Sequence, residues 1–487
     1  MIIDQYLNYE SSNNLFELEV EGFKYWHYIR KNIYDEIINQ KYNMGQAHTS
    51  LTTTSYFERV VLKFKQVPYW MFRNPLWSLK ERDLLILNHQ RRVKVKNEYN
   101  CIYTDEFIKR IDNSYYVFEQ PMLEEHYQPV GTNNLKYFDY LNFKVAVKKE
   151  ISKKIFKFSF SCVNKEIIRR VLSDISNFFS VELNENAIIS MIENIYLQRQ
   201  FSFKYYGKIL DTIKPKAILE IVSYGSDRLM INELAKERGI PIIELQHGTM
   251  GKYHISYNFE NIFDLSTFPN YIFTFGMFWK DKTRFPITRD MVKVVGWPFY
   301  EEKINENKVK DTRNNTIKTI LFVSQGTIGK ELSQIASEVS KELNNKQYKV
   351  IYKLHPGEYN RWQKEYPWLI EAGLEVIDHN KHDMHYYFAQ SNVQIGVYST
   401  ALFEGLGYGL LTLIIKLYGH EYMEELYNNN MAKLISGTTE ILSILESSKN
   451  EMNVPDINYL WQSDSLERMT LELKSILNTE LKNHIEN

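Results

Sequence analysis

The sequence predicts an α/β protein of two doubly wound parallel-sheet domains facing each other across a cleft, with a helical N-terminal extension and a helical insertion. Three observations predict it. Short runs that are apolar throughout, rather than alternating, recur between stretches of helical periodicity, the pattern of strands covered on both faces. One unit is complete: 217–222 is such a run, 228–238 has the helical period and stops at Gly239, and 241–245 is the next run. A charged, Asn-rich stretch at 301–316, nearly free of apolar residues, divides two series of these units. At 487 residues the chain exceeds what one hydrophobic core serves, which agrees with two domains.

The elements follow in order. Residues 14–40 place Phe16, Leu18, Phe23, Trp26, Ile29, Ile33 and Ile37 at helical spacing and predict an amphipathic helix, with a polar loop at 41–54. The extension, 1–82, ends in an aromatic and basic stretch. From 55 to 96 the chain carries ten basic and three acidic residues, a local +7 in a chain of net charge −1. Such a segment suits an anionic membrane interface, so peripheral membrane contact through 55–96 is an expectation. The first α/β domain is expected over 83–300, with strands at 84–87, 115–118, 217–222, 241–245, 271–275 and 292–295 and a helix-rich insertion at 135–210. Beyond the linker at 301–316, the second is expected over 317–450, with strands at 319–323, 348–352, 374–377, 393–397 and 411–415. A last helix, 465–481, lies in a C-terminal segment at 451–487 and can pack on either domain.

Composition narrows the function classes. With 59 basic and 60 acidic residues, nothing in the overall charge points to nucleic acid as a partner. Cys101 and Cys162 are the only cysteines, too few for a disulfide framework or a thiolate metal site, and they suit a reducing compartment. The start of the chain, MIIDQYLNYESSNN, lacks the basic and apolar regions of a signal peptide. The longest apolar stretch, 410–417, is too short to span a bilayer. A cytoplasmic protein is the expectation.

Ligands of doubly wound sheets bind beyond the carboxyl ends of the strands. In the second series those ends are Ser324-Gln325-Gly326-Thr327, His355-Pro356-Gly357, and Tyr398-Ser399-Thr400 with Glu404 one turn later. An imidazole can donate to a phosphate oxygen, a Ser-Thr turn offers hydroxyls and backbone N–H groups, and Glu404 can accept from ribose hydroxyls. The same Ser-Thr pair also suits an ordinary helix N-cap. Ser324, Gln325, Gly326, Thr327, His355, Pro356, Tyr398, Ser399, Thr400 and Glu404 are therefore candidates for holding a nucleotide donor. In the first series, His89, Arg91, Arg92 and Gln246 are candidates for an acceptor or anion. His247, in Gln246-His247-Gly248-Thr249, is the sharpest candidate for a general base, with Asp105 and Glu119 as rivals. The Gln325–Lys330 stretch lacks the spacing of an NTPase phosphate loop, and no Gly-x-Gly-x-x-Gly occurs. His379, His382, Asp383 and His385 are spaced like a polar loop rather than a zinc site, so no metal and no cofactor is expected.

These motifs resemble those of GT-B glycosyltransferases of bacterial surface polysaccharide synthesis, the group that includes CMP-sialic acid and CMP-Kdo transferases and CDP-glycerol glycerophosphotransferases. His355-Pro356 is similar to the group's His-Pro motif, Tyr398-Ser399-Thr400 to its Ser/Thr-rich phosphate motif, and Gln246-His247-Gly248-Thr249 to the His-Gly-Thr segment of the glycerophosphotransferases. The likeness spans about 240–420. Two departures stand out. The paired acidic motif of the sialyltransferases is missing, and Gly396-Val397-Tyr398-Ser399-Thr400 replaces the Thr-Asp-Tyr-Ser-Ser form of the polyol-phosphate enzymes. The resemblance implies a GT-B fold of two Rossmann-like domains. It also implies inverting, metal-independent transfer of a sugar from a nucleotide-sugar donor, CMP-linked donors included, to a cell-surface polysaccharide or lipid-linked glycan acceptor. His355, Ser399 and Thr400 would then meet the donor phosphates, Glu404 the ribose, and His247 the acceptor hydroxyl. CDP-polyol-dependent glycerophosphotransfer and a non-catalytic glycan-binding or scaffold role are the alternatives.

Overall fold

The computed structural model describes residues 2–42, 74–90, 92–111, 114–122, 125–308, 317–343, 348–447 and 456–486. In the extension, β1 (Glu19–Val20) and β2 (Phe23–Lys24) pair as a small hairpin. The first large sheet follows, made of β3 (Leu84–Leu87), β6 (Tyr115–Glu119), β7 (Leu135–Tyr137), β8 (Ala217–Ile221), β9 (Ile242–Leu245), β10 (Tyr271–Thr274) and β11 (Val292–Val294). Between β3 and β6, a second hairpin is formed by β4 (Val93–Val95) and β5 (Glu98–Asn100). The strand order is β11-β10-β9-β8-β3-β6-β7, parallel throughout. The second sheet contains β12 (Lys318–Val323), β13 (Tyr348–Lys353), β14 (Glu375–Ile377), β15 (Val393–Gly396), β16 (Leu411–Ile415) and β17 (Lys433–Ile435). Its order is β14-β13-β12-β15-β16-β17, again all parallel.

The continuous apolar runs have the cause expected of them. All four residues of β3 are buried, because helices or loops cover both faces of the sheet. In each sheet the first large strand is central, and the chain winds away from it in both directions. The crevices at the carboxyl ends therefore open between β3 and β8 in one sheet and between β12 and β15 in the other.

The structure departs from the sequence reading in three places. Residues 14–40 are not one helix. Leu15–Glu17 is a 3₁₀ turn, the β1–β2 hairpin follows, and the helix is Trp26–Lys41, preceded by another at Ile2–Ser12. Glu21 and Gly22 both take positive φ (51° and 70°), a turn conformation that breaks the helix where the apolar spacing alone would continue it. The stretch read as linker is helical over Pro298–Lys308, and 309–316 lies outside the described residues. Proline is well suited to a first helical turn, and Phe299, Tyr300 and Ile304 supply the buried face that a mostly polar sequence concealed. The edge strands β7 and β17 are additional.

The last helix, Ser465–Glu486, returns to the first sheet, where Met469, Leu473 and Ile476 pack with Leu84, Ile86, Val117 and Ile243. Just before it, Leu460 and Trp461 wedge between the domains. The Trp461 ring lies 4.3 Å from that of Tyr300, and its Nε1 donates to the Phe403 carbonyl at 3.1 Å. Gly276 is required there, since a Cβ would stand 2.3 Å from the Leu460 oxygen.

The extension is bound into the first domain by one buried cluster. Arg30 (1% exposed) donates to Glu10 (2% exposed) through Nε at 2.8 Å and Nη2 at 2.7 Å. The same guanidinium donates to the carbonyls of Ile255 at 2.7 Å and Asn258 at 2.9 Å. Helix Trp26–Lys41 thereby holds the loop that follows β9.

Candidate active site

Three side chains meet at the carboxyl end of the first sheet: His89 after β3, Tyr224 after β8 and His247 after β9. The His89 and His247 rings are 6.4 Å apart and nearly parallel. The Tyr224 hydroxyl is 3.4 Å from His247 Nε2, and the Tyr257 hydroxyl is 3.4 Å from Nδ1. Tyr103 fixes the turn by donating to the His247 carbonyl at 2.6 Å. Behind the ring lies Glu244, fully buried in β9, with Oε1 3.9 Å from His247 Nδ1. Tyr257 donates a short hydrogen bond to that same oxygen, so a phenol bridges the carboxyl and the imidazole.

Burial dominates the titration of this cluster. It pulls His247 down to about 3, with His254 and His89 adding to the effect, so the ring is neutral at pH 7. It pushes Glu244 up to about 7 and Glu220, its register partner on β8, up to about 8; Glu244 adds to the shift of Glu220. Between pH 4.5, the ordinary value, and about 8, the folded protein holds a proton on Glu220 that the unfolded chain has released. Its contribution to stability is complete at the acid end of that window and is lost as pH rises. Glu220→Gln is therefore expected to gain stability relative to wild type from pH 5 to pH 8, by at most about 1.4 kcal/mol per pH unit. Urea unfolding of both proteins at the two pH values checks it; a pH-independent difference would contradict it.

The rival bases are otherwise engaged. Arg92, expected at the acceptor, is 4% exposed; its Nε donates to Glu119 at 2.8 Å, and its Nη1 lies 3.4 Å from Asp105. Asp105 also accepts from the Cys101 N–H at 2.8 Å and the Thr132 hydroxyl at 2.9 Å. Asp105, Glu119 and Arg92 thus form a buried ionic strut, not a reactive surface. Gln246 is a correction of the same kind: fully buried, it donates to the Gly248 carbonyl at 2.7 Å and accepts from the Phe275 N–H at 2.8 Å, bracing the turn. Arg91 lies outside the described residues, as does the 55–73 part of the expected membrane segment. The 84–87 part of that segment is β3, in the core.

In the second sheet the ends of β13, β12 and β15 are neighbours. Gly326 and Thr327 are exposed, the Thr327 hydroxyl meets that of Tyr398, and the Tyr398 N–H donates to Gln325 at 3.3 Å. The fourteen-residue helix Gly329–Glu342 starts at this point, and its first N–H groups have no partner within the helix. His355 is exposed, and its Nδ1 accepts from the Gly357 N–H at 3.2 Å, with Pro356 opening the short 3₁₀ turn. Glu358 holds this turn from below. It is fully buried and accepts from the His355 N–H (2.7 Å), the Ser324 hydroxyl (3.1 Å) and the Tyr366 hydroxyl (2.9 Å). Ser324, expected in the cleft, is instead a buried strut. Ser399 caps helix Thr400–Leu406 by accepting from the Ala401 N–H at 3.3 Å. The Glu404 carboxylate lies 3.8 Å from His385 Nε2. Among the described residues, no group of three or more His, Cys, Asp or Glu is placed to hold a metal ion, and no helix is long and apolar enough to cross a membrane.

An interdomain cavity of 330 Å³ lies between the loop that follows His247 and the second domain, and Tyr398 is the candidate site residue that lines it. The loop that follows His247 (Thr249 to Ile255) forms one wall, and Tyr398, Tyr418 and Tyr422 form the other. Larger cavities of 490 and 700 Å³ lie at the amino ends of the first sheet, beside Pro215 and Pro241, away from the ends where such sheets bind ligands. Sequence reasoning missed Glu244, Tyr257 and Glu358. A glutamate inside each of two otherwise apolar strands (Glu220 and Glu244) was the signal available for the first.

No protein-family profile matches the chain, and no curated protein matches it. Solved structures do. The UDP-GlcNAc 2-epimerase of Methanocaldococcus jannaschii matches with a TM-score of 0.50 at 11% identity, over 80% of this chain and 99% of its own. The UDP-GlcNAc 2-epimerase of Neisseria meningitidis, solved bound to UDP-GlcNAc, matches at 0.49 and 12% identity, over 80% and 99%. The wall teichoic acid polymerase TagF matches at 0.42 and 11% identity, over 94% and 99%. The first of these likenesses, with the two parallel sheets, shows the GT-B fold.

Proposed function

We propose that the chain is an inverting, metal-independent glycosyltransferase that moves a sugar from a nucleotide-sugar donor to a surface polysaccharide or lipid-linked glycan. One pairing carries the reading: a neutral, carboxyl-backed histidine at a strand end of the first sheet, and exposed phosphate-type donors at strand ends of the second, the ends where ligands of such sheets bind. The M. jannaschii neighbour's named substrate, a UDP-sugar, supports a nucleotide sugar on this fold.

In this reading His247 accepts the proton of the acceptor hydroxyl as its oxygen attacks the anomeric carbon. The bond from that carbon to the donor phosphate breaks, and its electron pair goes to the phosphate oxygen. His355, the Thr327 hydroxyl and the N–H groups that open helix Gly329–Glu342 receive that charge, work that fixed donors do without a cation. Glu244, in its ionised form and through Tyr257, offsets the positive charge arriving on His247. A cytoplasmic location, peripheral to the inner face of the membrane, completes the proposal.

The Gln246-His247-Gly248-Thr249 motif favours one second reading, glycerol-phosphate transfer from a CDP carrier. Incubation with nucleotide sugars and with CDP-glycerol, followed by ³¹P NMR of the product, separates them. Sugar transfer leaves the phosphate on the nucleotide, whereas polyol transfer carries phosphate into the product. Turnover of CDP-glycerol alone would overturn the glycosyl assignment.

A further inference from the structure

The interdomain cavity is lined in a way that donor binding does not require. Its walls are aromatic from both sides. Tyr253, on the loop after His247, meets Tyr422 of the second domain edge-on at 5.2 Å between ring centroids, and Tyr398 lies 6.0 Å from Tyr422. Tyr34, from helix Trp26–Lys41, lines the same space, so the N-terminal extension supplies part of the wall. At 330 Å³ the volume falls within the range of small-molecule sites, about 300–1,000 Å³.

Charge narrows the occupant. Three lysines line the cavity, and each already faces a carboxylate: Lys31 with Asp35 at 2.5 Å, Lys252 with Glu424 at 2.7 Å, and Lys282 with Glu425 at 2.6 Å. A phosphate or carboxylate entering here would have to displace one of those partners. Hydroxyl groups would not. They can share the paired oxygens and ammonium groups, and His254 also lines the cavity. Burial and Lys31 hold that ring neutral, with a pKa of about 4, so it adds no cation. Apolar C–H faces of a sugar ring match the aromatic walls, while its hydroxyls match the polar groups between them.

We infer that this cavity is a subsite for an uncharged pyranose ring of the acceptor, formed jointly by the two domains and the N-terminal extension. The inference rests on the proposed glycosyl transfer, but it makes a separate claim: the acceptor residue seated in this cavity carries no charge, whatever the donor.

Saturation-transfer NMR on the full chain tests it with methyl β-glucopyranoside and N-acetylglucosamine as neutral probes and glucuronate and glycerol 3-phosphate as anionic ones. The expected result is saturation of a neutral probe in preference to both anions. In Tyr253→Ala its binding should weaken about tenfold, the range of one lost aromatic contact. Tyr253→Phe, which keeps the ring, should bind as wild type does. Preference for an anion, no binding of either class, or undiminished binding by Tyr253→Ala would each overturn the inference. Circular dichroism and the melting response to nucleotides, measured on the same variants, report the fold and the donor site separately. Sugar binding without any nucleotide response would sink the donor assignment and leave the subsite standing.

Discussion

Replacing His247 with asparagine is expected to lower turnover by about 10²–10⁴-fold, the range for a general base, while nucleotide affinity stays at the wild-type value. The ring sits on the first sheet, whereas the candidate nucleotide contacts belong to the second, so binding and chemistry should separate in this variant. Asparagine keeps a polar group near Tyr257 but cannot take a proton. Steady-state kinetics under saturating donor, with a nucleotide titration alongside, is the check. A loss confined to KM would mean that His247 binds substrate rather than moving a proton. Glu244→Gln should give a smaller loss in kcat, because it removes the ionisable carboxyl behind the imidazole and leaves the ring in place.

The second large effect is on stability. Arg30→Ala is expected to destabilise the protein by about 3–5 kcal/mol, the cost of leaving one member of a fully buried ion pair without its partner. Glu10 would be left without its partner at 2% exposure, and the carbonyls of Ile255 and Asn258 would lose their donor. Those carbonyls lie just past the loop between His247 and Tyr253, so activity should fall together with stability. Urea denaturation gives the first quantity. A double variant, Arg30→Met with Glu10→Leu, should recover much of the loss, since apolar side chains of similar size carry no desolvation penalty. A cost below about 1 kcal/mol for Arg30→Ala, the level of an exposed pair, would contradict this role.

How far the sequence reached depended on which physical signal each element carried. The central strands were legible because parallel strands covered on both faces must be apolar at every position, as in Leu84-Leu85-Ile86-Leu87. The strand ends holding His247, His355 and Ser399 followed from the same pattern, since the polar turn begins where the apolar run stops. Helix Pro298–Lys308 was hidden because two aromatics and one isoleucine bury it, too few to set a period among charged neighbours. Side-chain direction was hidden as well. Ser324, Gln246 and Arg92 sit at strand ends, as the crevice requires, but local hydrogen bonds turn them inward, and only the fold shows which way they face. The Glu244–Tyr257–His247 arrangement joins residues on β9, on its following turn and on a separate 3₁₀ segment, an approach that spacing in the sequence does not encode.

The most direct test of the central claim is the melting temperature of the full chain titrated with CMP, CDP, UDP and GDP, in wild type and in His355→Ala. A nucleotide held by the second domain raises the melting temperature in proportion to RT ln(1 + [L]/Kd). The account predicts that at least one of the four does so, that His355→Ala abolishes or strongly reduces the rise while remaining folded, and that His247→Asn preserves it. No response to any of the four in wild type, or a full response in His355→Ala, would contradict it.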